Sequence, residues 1–93
     1  MATAQICATV TGRTMAELRA RRDQEVDADL VEIRLDSVQD PDVAGALADR
    51  KCPVVLTCRP AWEGGYFNGS EEDRKRLLAE ALRLGADYVD LVW

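Results

Sequence analysis

"DADLVEIRLD", Asp27 to Asp36, decides how the chain is read. Val31, Ile33 and Leu35 alternate with Glu32, Arg34 and Asp36, and residues two apart in a strand project from the same face. The stretch is therefore expected to form a strand over residues 29–35 with one apolar and one charged face. An ordinary half-buried strand turns its charges to bulk water. Here an acid, a guanidinium and a second acid crowd one short face, which calls for a different setting.

The neighbouring segments supply that setting. "QICATV" (Gln5 to Val10) reads as a short buried strand and "TGR" as a turn. Thr14 opens a helix, with Glu17 completing a T-x-x-E capping box and Met15, Leu18 and Val26 forming its apolar stripe. "SVQDPDVAGALADRK" carries a second helix, with Asp40 as N-cap and Pro41 at the first helical position. Val43, Ala44, Leu47 and Ala48 mark its buried side, and Gly45 lowers helix propensity while letting a neighbour come close. Pro53 to Arg59 reads as a third strand, its proline tolerated at the first residue. The loop "PAWEGGYFNG" leads to Ser70, which caps a third helix with Asp73 as capping-box partner. Leu77, Leu78, Ala81 and Leu82 are that helix's apolar stripe, Gly85 ends it, and "ADYVDLVW" is a fourth strand.

The order β-α-β-α-β-α-β predicts a parallel sheet with right-handed crossovers. Strand starts recur every ~25–30 residues, one βαβ step. "ADLVEI" (Ala28 to Ile33) and "ADYVDL" (Ala86 to Leu91) resemble one another, as a shared βα design requires. Four strands with three helices leave the sheet edges bare. Either the sheet is a small open one that pairs with a partner, or it is the N-terminal part of a βα barrel, an architecture of about 250 residues.

At 93 residues, 47% hydrophobic and 31% charged, the chain suits one small globular domain. A net charge of −5 argues against nucleic-acid binding, which needs a basic stripe. Arg19, Arg21 and Arg22 of "RARR" are followed by Asp23 and Glu25, and read as a solvated helix face. Cys7, Cys52 and Cys58 lack CxxC spacing and sit in or beside apolar runs as small hydrophobes. This usage predicts a reducing, cytoplasmic setting. The sequence contains no histidine and no zinc spacing, so no metal is expected. "MATAQICATV" lacks the features of a signal peptide, and no apolar run approaches the ~20 residues that span a bilayer.

Arg34, Asp36, Arg59 and Asp90 fall towards the C-terminal ends of their strands. Thr11, Gly12, Arg13 and Glu63 to Gly65 fall in the loops beyond, at the end where parallel α/β proteins build their sites. Two arginines there suit a carboxylate, whose geometry matches the guanidinium fork. Glu32 either holds Arg34 or accepts a hydrogen bond from a substrate hydroxyl; equally, an ion pair of Glu32 with Arg34 or Arg59 would serve only to neutralise charge. Gly64-Gly65 reads as a mobile lid or as a plain flexible loop. "TGRT" lacks the spacing and lysine of a phosphate loop.

"LVEIRLD", "VVLTCRPAWEGG" and "ADYVDL", with the opening "TGRT", resemble the type I 3-dehydroquinate dehydratases across essentially the whole chain. The most specific parts are E-x-R-x-D (Glu32, Arg34, Asp36) and T-x-R-x₃-E-G-G (Thr57, Arg59, Glu63, Gly64, Gly65). The resemblance implies a TIM barrel, (β/α)8, of which these residues are the N-terminal half, truncated after the fourth strand. It implies a lyase of the shikimate pathway of aromatic amino acid biosynthesis, dehydrating 3-dehydroquinate to 3-dehydroshikimate. A lysine imine and a histidine general base do the chemistry, without metal or cofactor. Glu32, Arg34 and Arg59 are then expected to line the substrate site, with Ile33 adding backbone contacts and Thr9 standing where the family often has a small hydroxyl residue. The expected partner is a small molecule, 3-dehydroquinate, with no nucleic acid and no membrane; a homodimer of the full-length protein is compatible with this reading.

Lys51 and Lys75 are the only lysines. Lys51 precedes the third strand, at the wrong end of a barrel, and Lys75 lies on the polar side of the third helix. The catalytic histidine and lysine are therefore expected beyond Trp93, and the 93 residues alone are expected to be inactive. Val92 stands where the family usually has a glutamate that orients the histidine, a change that removes control of its tautomer and pKa. The alternative is a non-catalytic half-barrel module that self-associates or binds a carboxylate metabolite.

Overall fold

The computed structural model describes residues 6–90. Its elements are β1 (Cys7–Val10), α1 (Met15–Gln24), β2 (Leu30–Arg34), α2 (Val43–Leu47), β3 (Val54–Thr57), α3 (Glu71–Arg83) and β4 (Tyr88–Val89), with 3-10 turns at Leu35–Ser37 and Ala61–Glu63. The four strands are parallel and lie in chain order, β1-β2-β3-β4. A doubly wound sheet reverses its order at a switch point; an unreversed succession is that of a curling βα barrel wall. The expected α/β fold, four parallel strands alternating with three helices, is what the chain adopts.

Register sorts the side chains into two faces. Val10, Ile33, Leu56 and Val89 lie side by side across the strands, as do Thr9, Glu32, Val55 and Tyr88 one residue earlier. The first set belongs to the helix-covered face, where Val31, Ile33, Val54 and Leu56 are fully buried with Leu18, Ala46, Leu78 and Ala81 from the helices. Each large apolar side chain so enclosed contributes about 1.5–3 kcal/mol. The second set lies on the opposite face, which carries Glu32 and Arg34.

The helix starts differ in part from expectation. Thr14 accepts from the Glu17 N–H at 3.2 Å and Ser70 from the Asp73 N–H at 3.1 Å, as their spacing predicts. Asp40, however, does not cap α2. That helix begins at Val43 behind Asp42, and Asp42 makes no side-chain cap. Asp40 Oδ1 accepts instead from the Met15 N–H of α1 at 2.9 Å, because the segment after β2 folds back on the β1–α1 loop, where the Gln39 N–H bonds the Arg13 carbonyl at 2.9 Å. The acid that looks like a local cap serves a helix 25 residues away.

Four apolar positions and one charged position also differ from expectation. α1 ends at Gln24, so Val26 is exposed, and Leu82 faces solvent on α3. In the short α2, Ala46 takes the buried place expected of Ala44 and Ala48, which are exposed. Arg22 is 4% exposed, not part of a solvated face. It donates to the Ala46 carbonyl at 2.8 Å and to Asp23 at 3.0 Å, using its fork to tie α1 to the end of α2. Arg19 and Arg21 do reach solvent-exposed acids, Asp49 and Glu17. Gly85 ends α3 at φ +86°, a conformation that favours glycine. Gln5 of the expected first strand, and Leu91 to Trp93 of the fourth, lie outside the described residues.

Cys58 is buried, and burial pushes its thiol up to about 12. Cys7 is exposed on the open face rather than packed as a small hydrophobe. Iodoacetamide at neutral pH should therefore leave Cys58 unmodified until denaturant is added, since the thiolate is the nucleophile; peptide mapping that finds Cys58 alkylated in the folded protein contradicts this packing. Asp40→Ala should lower unfolding free energy by about 1 kcal/mol, the size of a lost helix cap, and Asp42→Ala by clearly less. Denaturant titration of both variants checks the order.

Candidate active site at the C-terminal ends of the strands

Glu32 stands midway along the open face of β2. Its two carboxylate oxygens are held from both neighbouring strands: Thr9 donates to Oε1 at 3.1 Å and Thr57 to Oε2 at 2.9 Å. Parallel register brings this about, since Thr9 lies beside Glu32 on β1 and Thr57 lies beside Arg34 on β3. Among the described residues no arginine comes within ion-pair distance of Glu32. The ion pair that sequence reasoning left open, Glu32 with Arg34 or Arg59, is not formed.

Arg34 instead pairs with Asp36. Its Nε reaches Oδ1 at 3.0 Å and its Nη2 reaches Oδ2 at 2.8 Å, a bidentate fork. The chain makes this possible by turning at Leu35–Ser37, where Ser37 Oγ donates to the Arg34 carbonyl at 2.6 Å and accepts from the Gly12 N–H at 3.2 Å. Asp36 also accepts from the Tyr66 N–H at 3.1 Å, and the backbone N–H of Arg59 favours its charged form. Burial alone raises the Asp36 pKa; the Arg34 guanidinium and the two backbone N–H groups outweigh it and hold the carboxyl below its ordinary value. The same hydrogen bond pushes the Arg34 pKa up.

Arg59 lies just past β3. Its Nη2 meets Asp90 at 3.4 Å, its Nε has no partner among the described residues, and 38% of its side chain is exposed. Behind it, buried Arg74 of α3 donates to the Cys58 carbonyl at 3.1 Å, pairs with Glu71 through its Nε at 2.7 Å, and lies 5.9 Å from the centroid of the Trp62 ring. That fixes the backbone from which Arg59 springs.

The Glu63–Gly65 segment folds back on the end of β3. Gly64 takes φ +79° and Gly65 bonds back to the Pro60 carbonyl at 2.9 Å. A Cβ on Gly65 would sit 2.0 Å from the Arg59 carbonyl oxygen, so glycine is what allows the loop to fold onto Arg59. A cleft of about 910 Å³ opens between this loop and the β1–α1 and β2–α2 loops, walled by Thr11, Gly12, Arg13, Asp36, Gly65 and Tyr66. Glu32, Arg34 and Arg59 are not on its wall.

Of the residues expected at the site, Thr9, Glu32 and Arg34 lie on the open face of the sheet, and Arg59 lies just past the end of β3. Ile33 is not with them: its side chain is fully buried on the helix side, and its backbone lies between two paired strands. Two participants were under-read. Thr57 shares Arg59's face by the two-residue period, but only the register sets it opposite Arg34, diagonal to Glu32. Asp36 carries the D of E-x-R-x-D, yet its links to Arg59 and Tyr66 depend on a loop returning from 30 residues away. Lys51 and Lys75 are exposed, and no cluster of side chains among the described residues is arranged to hold a metal ion. No helix of the described residues is long and apolar enough to cross a membrane. Val92 lies outside the described residues.

The fold defined by these elements is a barrel-type βα wall of four parallel strands in chain order, with an acid and two arginines on or just past its strands. The chain belongs to the type I 3-dehydroquinase family, whose model matches residues 6–92. It is 41% identical over 87 residues to the 3-dehydroquinate dehydratase of Desulfotalea psychrophila, covering 94% of this chain and 38% of that protein. It is 38% identical to the chloroplastic bifunctional 3-dehydroquinate dehydratase/shikimate dehydrogenase of Arabidopsis thaliana, covering 92% of this chain and 15% of that one. A third relative, the 3-dehydroquinate dehydratase of Methanothermobacter thermautotrophicus, is 37% identical, with 94% and 41% covered. The chain thus spans less than half the length of these relatives.

The Asp36 pairing carries a pH signature. Its native pKa is depressed, so its contribution to stability is complete above the ordinary carboxylate value of ~3.9 and is lost as pH falls through the lower native value. The stability difference between wild type and Asp36→Asn should therefore shrink between about pH 6 and about pH 2. Denaturant unfolding across that range that gives a constant difference contradicts the pairing.

Proposed function

We propose that these residues form the substrate-holding half of a 3-dehydroquinate dehydratase. The observation that carries the reading is the Glu32 carboxylate, fixed by the hydroxyls of Thr9 and Thr57 on the same face as Arg34, in a chain of this family. Held in that way and unpaired with a cation, Glu32 is placed to accept hydrogen bonds from ring hydroxyls. Arg34 has its fork engaged by Asp36, which leaves Nη1 for a single hydroxyl contact. Arg59 is only loosely engaged by Asp90, so its guanidinium suits the substrate carboxylate.

The chemistry of the family then divides between two parts of one barrel. A lysine amine attacks the ketone and expels water to give an imine, which acidifies the adjacent C–H; a histidine takes that proton and the hydroxyl group leaves as water. Hydrolysis of the imine returns the lysine, so the net change is loss of one water. The 93 residues have no histidine, and Lys51 and Lys75 lie away from the Glu32–Arg34–Arg59 cluster. In this reading the amine and the imidazole come from elsewhere in a longer protein, of which these residues are the N-terminal half-barrel. The reaction uses no metal or cofactor, and the setting is cytoplasmic.

Borohydride reduction of the natural full-length protein with 3-dehydroquinate should leave one covalent adduct, on a lysine outside residues 1–93. An adduct on Lys51 or Lys75 overturns the division of labour. Arg59→Ala should raise KM at least ~10-fold, the loss of a charge-assisted pair to the carboxylate. A full-length protein that binds 3-dehydroquinate yet never forms an adduct favours the alternative, a non-catalytic half-barrel that binds a carboxylate metabolite.

A further inference from the structure

Asp36 borders the cleft, but its side chain is 0% exposed. Its oxygens are nonetheless fully used, and the donors come from two segments. Arg34 donates from the end of β2, and Tyr66 through its backbone N–H after the glycine pair. Tyr66 follows Gly65, whose lack of a side chain lets the loop lie against Arg59. A buried ion pair by itself is weak evidence of function. What sets this one apart is where its partners lead: Arg34 and Arg59 are the two arginines of the site.

We propose that Asp36 is a positioning residue, a buried anion that fixes the plane of the Arg34 guanidinium and the backbone of Arg59 relative to one another. This rests on the proposed dehydratase reading for its consequence, substrate binding, but not for its geometry. A bidentate carboxylate holds a guanidinium in one orientation before any ligand arrives. The ordering that a mobile arginine would undergo on binding is then already done. Arg59 gains its placement through the backbone: Asp36 holds the Tyr66 N–H at 3.1 Å, and the next residue's N–H, that of Phe67, bonds the Arg59 carbonyl at 3.4 Å. The Glu-Gly-Gly segment is how the loop reaches Asp36.

The test uses the natural full-length protein and two readouts. In nitrogen-edited NMR, the Arg34 Nε–H should exchange with solvent at least ~10-fold more slowly than that of Arg76, whose side chain is 71% exposed, since exchange follows local opening. Asp36→Asn should abolish that protection and raise KM for 3-dehydroquinate about 10-fold, with kcat changed less than about 3-fold. In an Arg34→Met background the same substitution should cost at least about 3-fold less in kcat/KM, because residues acting through one another are not additive. A merely structural role predicts the full penalty in both backgrounds, and that result overturns the proposal. So does an Arg34 Nε–H that exchanges as fast as that of Arg76, a comparison that needs no variant and decides the matter even if Asp36→Asn does not fold. A wild-type protein that neither binds nor converts 3-dehydroquinate sinks the dehydratase reading alone, and the exchange comparison still decides for or against Asp36.

Discussion

One buried carboxylate organises the C-terminal end of this sheet. An isolated ionised acid in a protein interior is strongly disfavoured, so Asp36 persists as a charge only because Arg34 and Tyr66 turn donors towards it. The dependence runs the other way too. Without Asp36 the Arg34 fork has no fixed plane, and the loop after β3 loses the anchor that brings its glycine pair down over Arg59. The strand–turn–loop assembly is therefore one cooperative unit, and the site's arginines inherit its order.

Each charged group at the site has a different kind of support. Hydroxyls hold Glu32, a carboxylate holds Arg34, and Arg59 is held mainly through its backbone. The pattern fits the substrate-holding role proposed for each group. Threonine donors leave Glu32 with lone pairs to spare. A carboxylate partner neutralises Arg34 in part and fixes its plane. The looser Arg59–Asp90 contact, at 3.4 Å, leaves a cation with capacity for an anion. The helix-side face, packed with Val31, Ile33, Val54 and Leu56, supplies the rigid wall that these placements need.

The strands were legible because the period of two in "LVEIRLD" and the βα alternation are local signals. The same period put Glu32 and Arg34 on one face and Thr57 with Arg59 on another strand. What the sequence hid was pairing between distant segments. Asp40 looked like the cap of the helix beside it and caps α1 instead, because backbone folding, not sequence proximity, brings it to Met15. Arg22 sits in a charge run that reads as solvated, yet the α2 terminus offers it carbonyls and buries it. Glu32 was open to an arginine partner until register placed a threonine on either side. Ile33 was drawn into the site by its neighbours in the motif, although its side chain belongs to the opposite face. Short motifs thus revealed which residues gather, and the fold alone assigned who bonds whom.

The most direct measurement is a crystal structure of the natural full-length protein after borohydride reduction with 3-dehydroquinate. The reduced substrate should lie with its hydroxyls on Glu32 and Arg34 and its carboxylate on Arg59, at hydrogen-bond distances of about 2.7–3.2 Å, while Asp36 keeps its fork on Arg34. A trapped substrate that contacts none of Glu32, Arg34 and Arg59 would contradict the assignment of the holding half of the site to these residues.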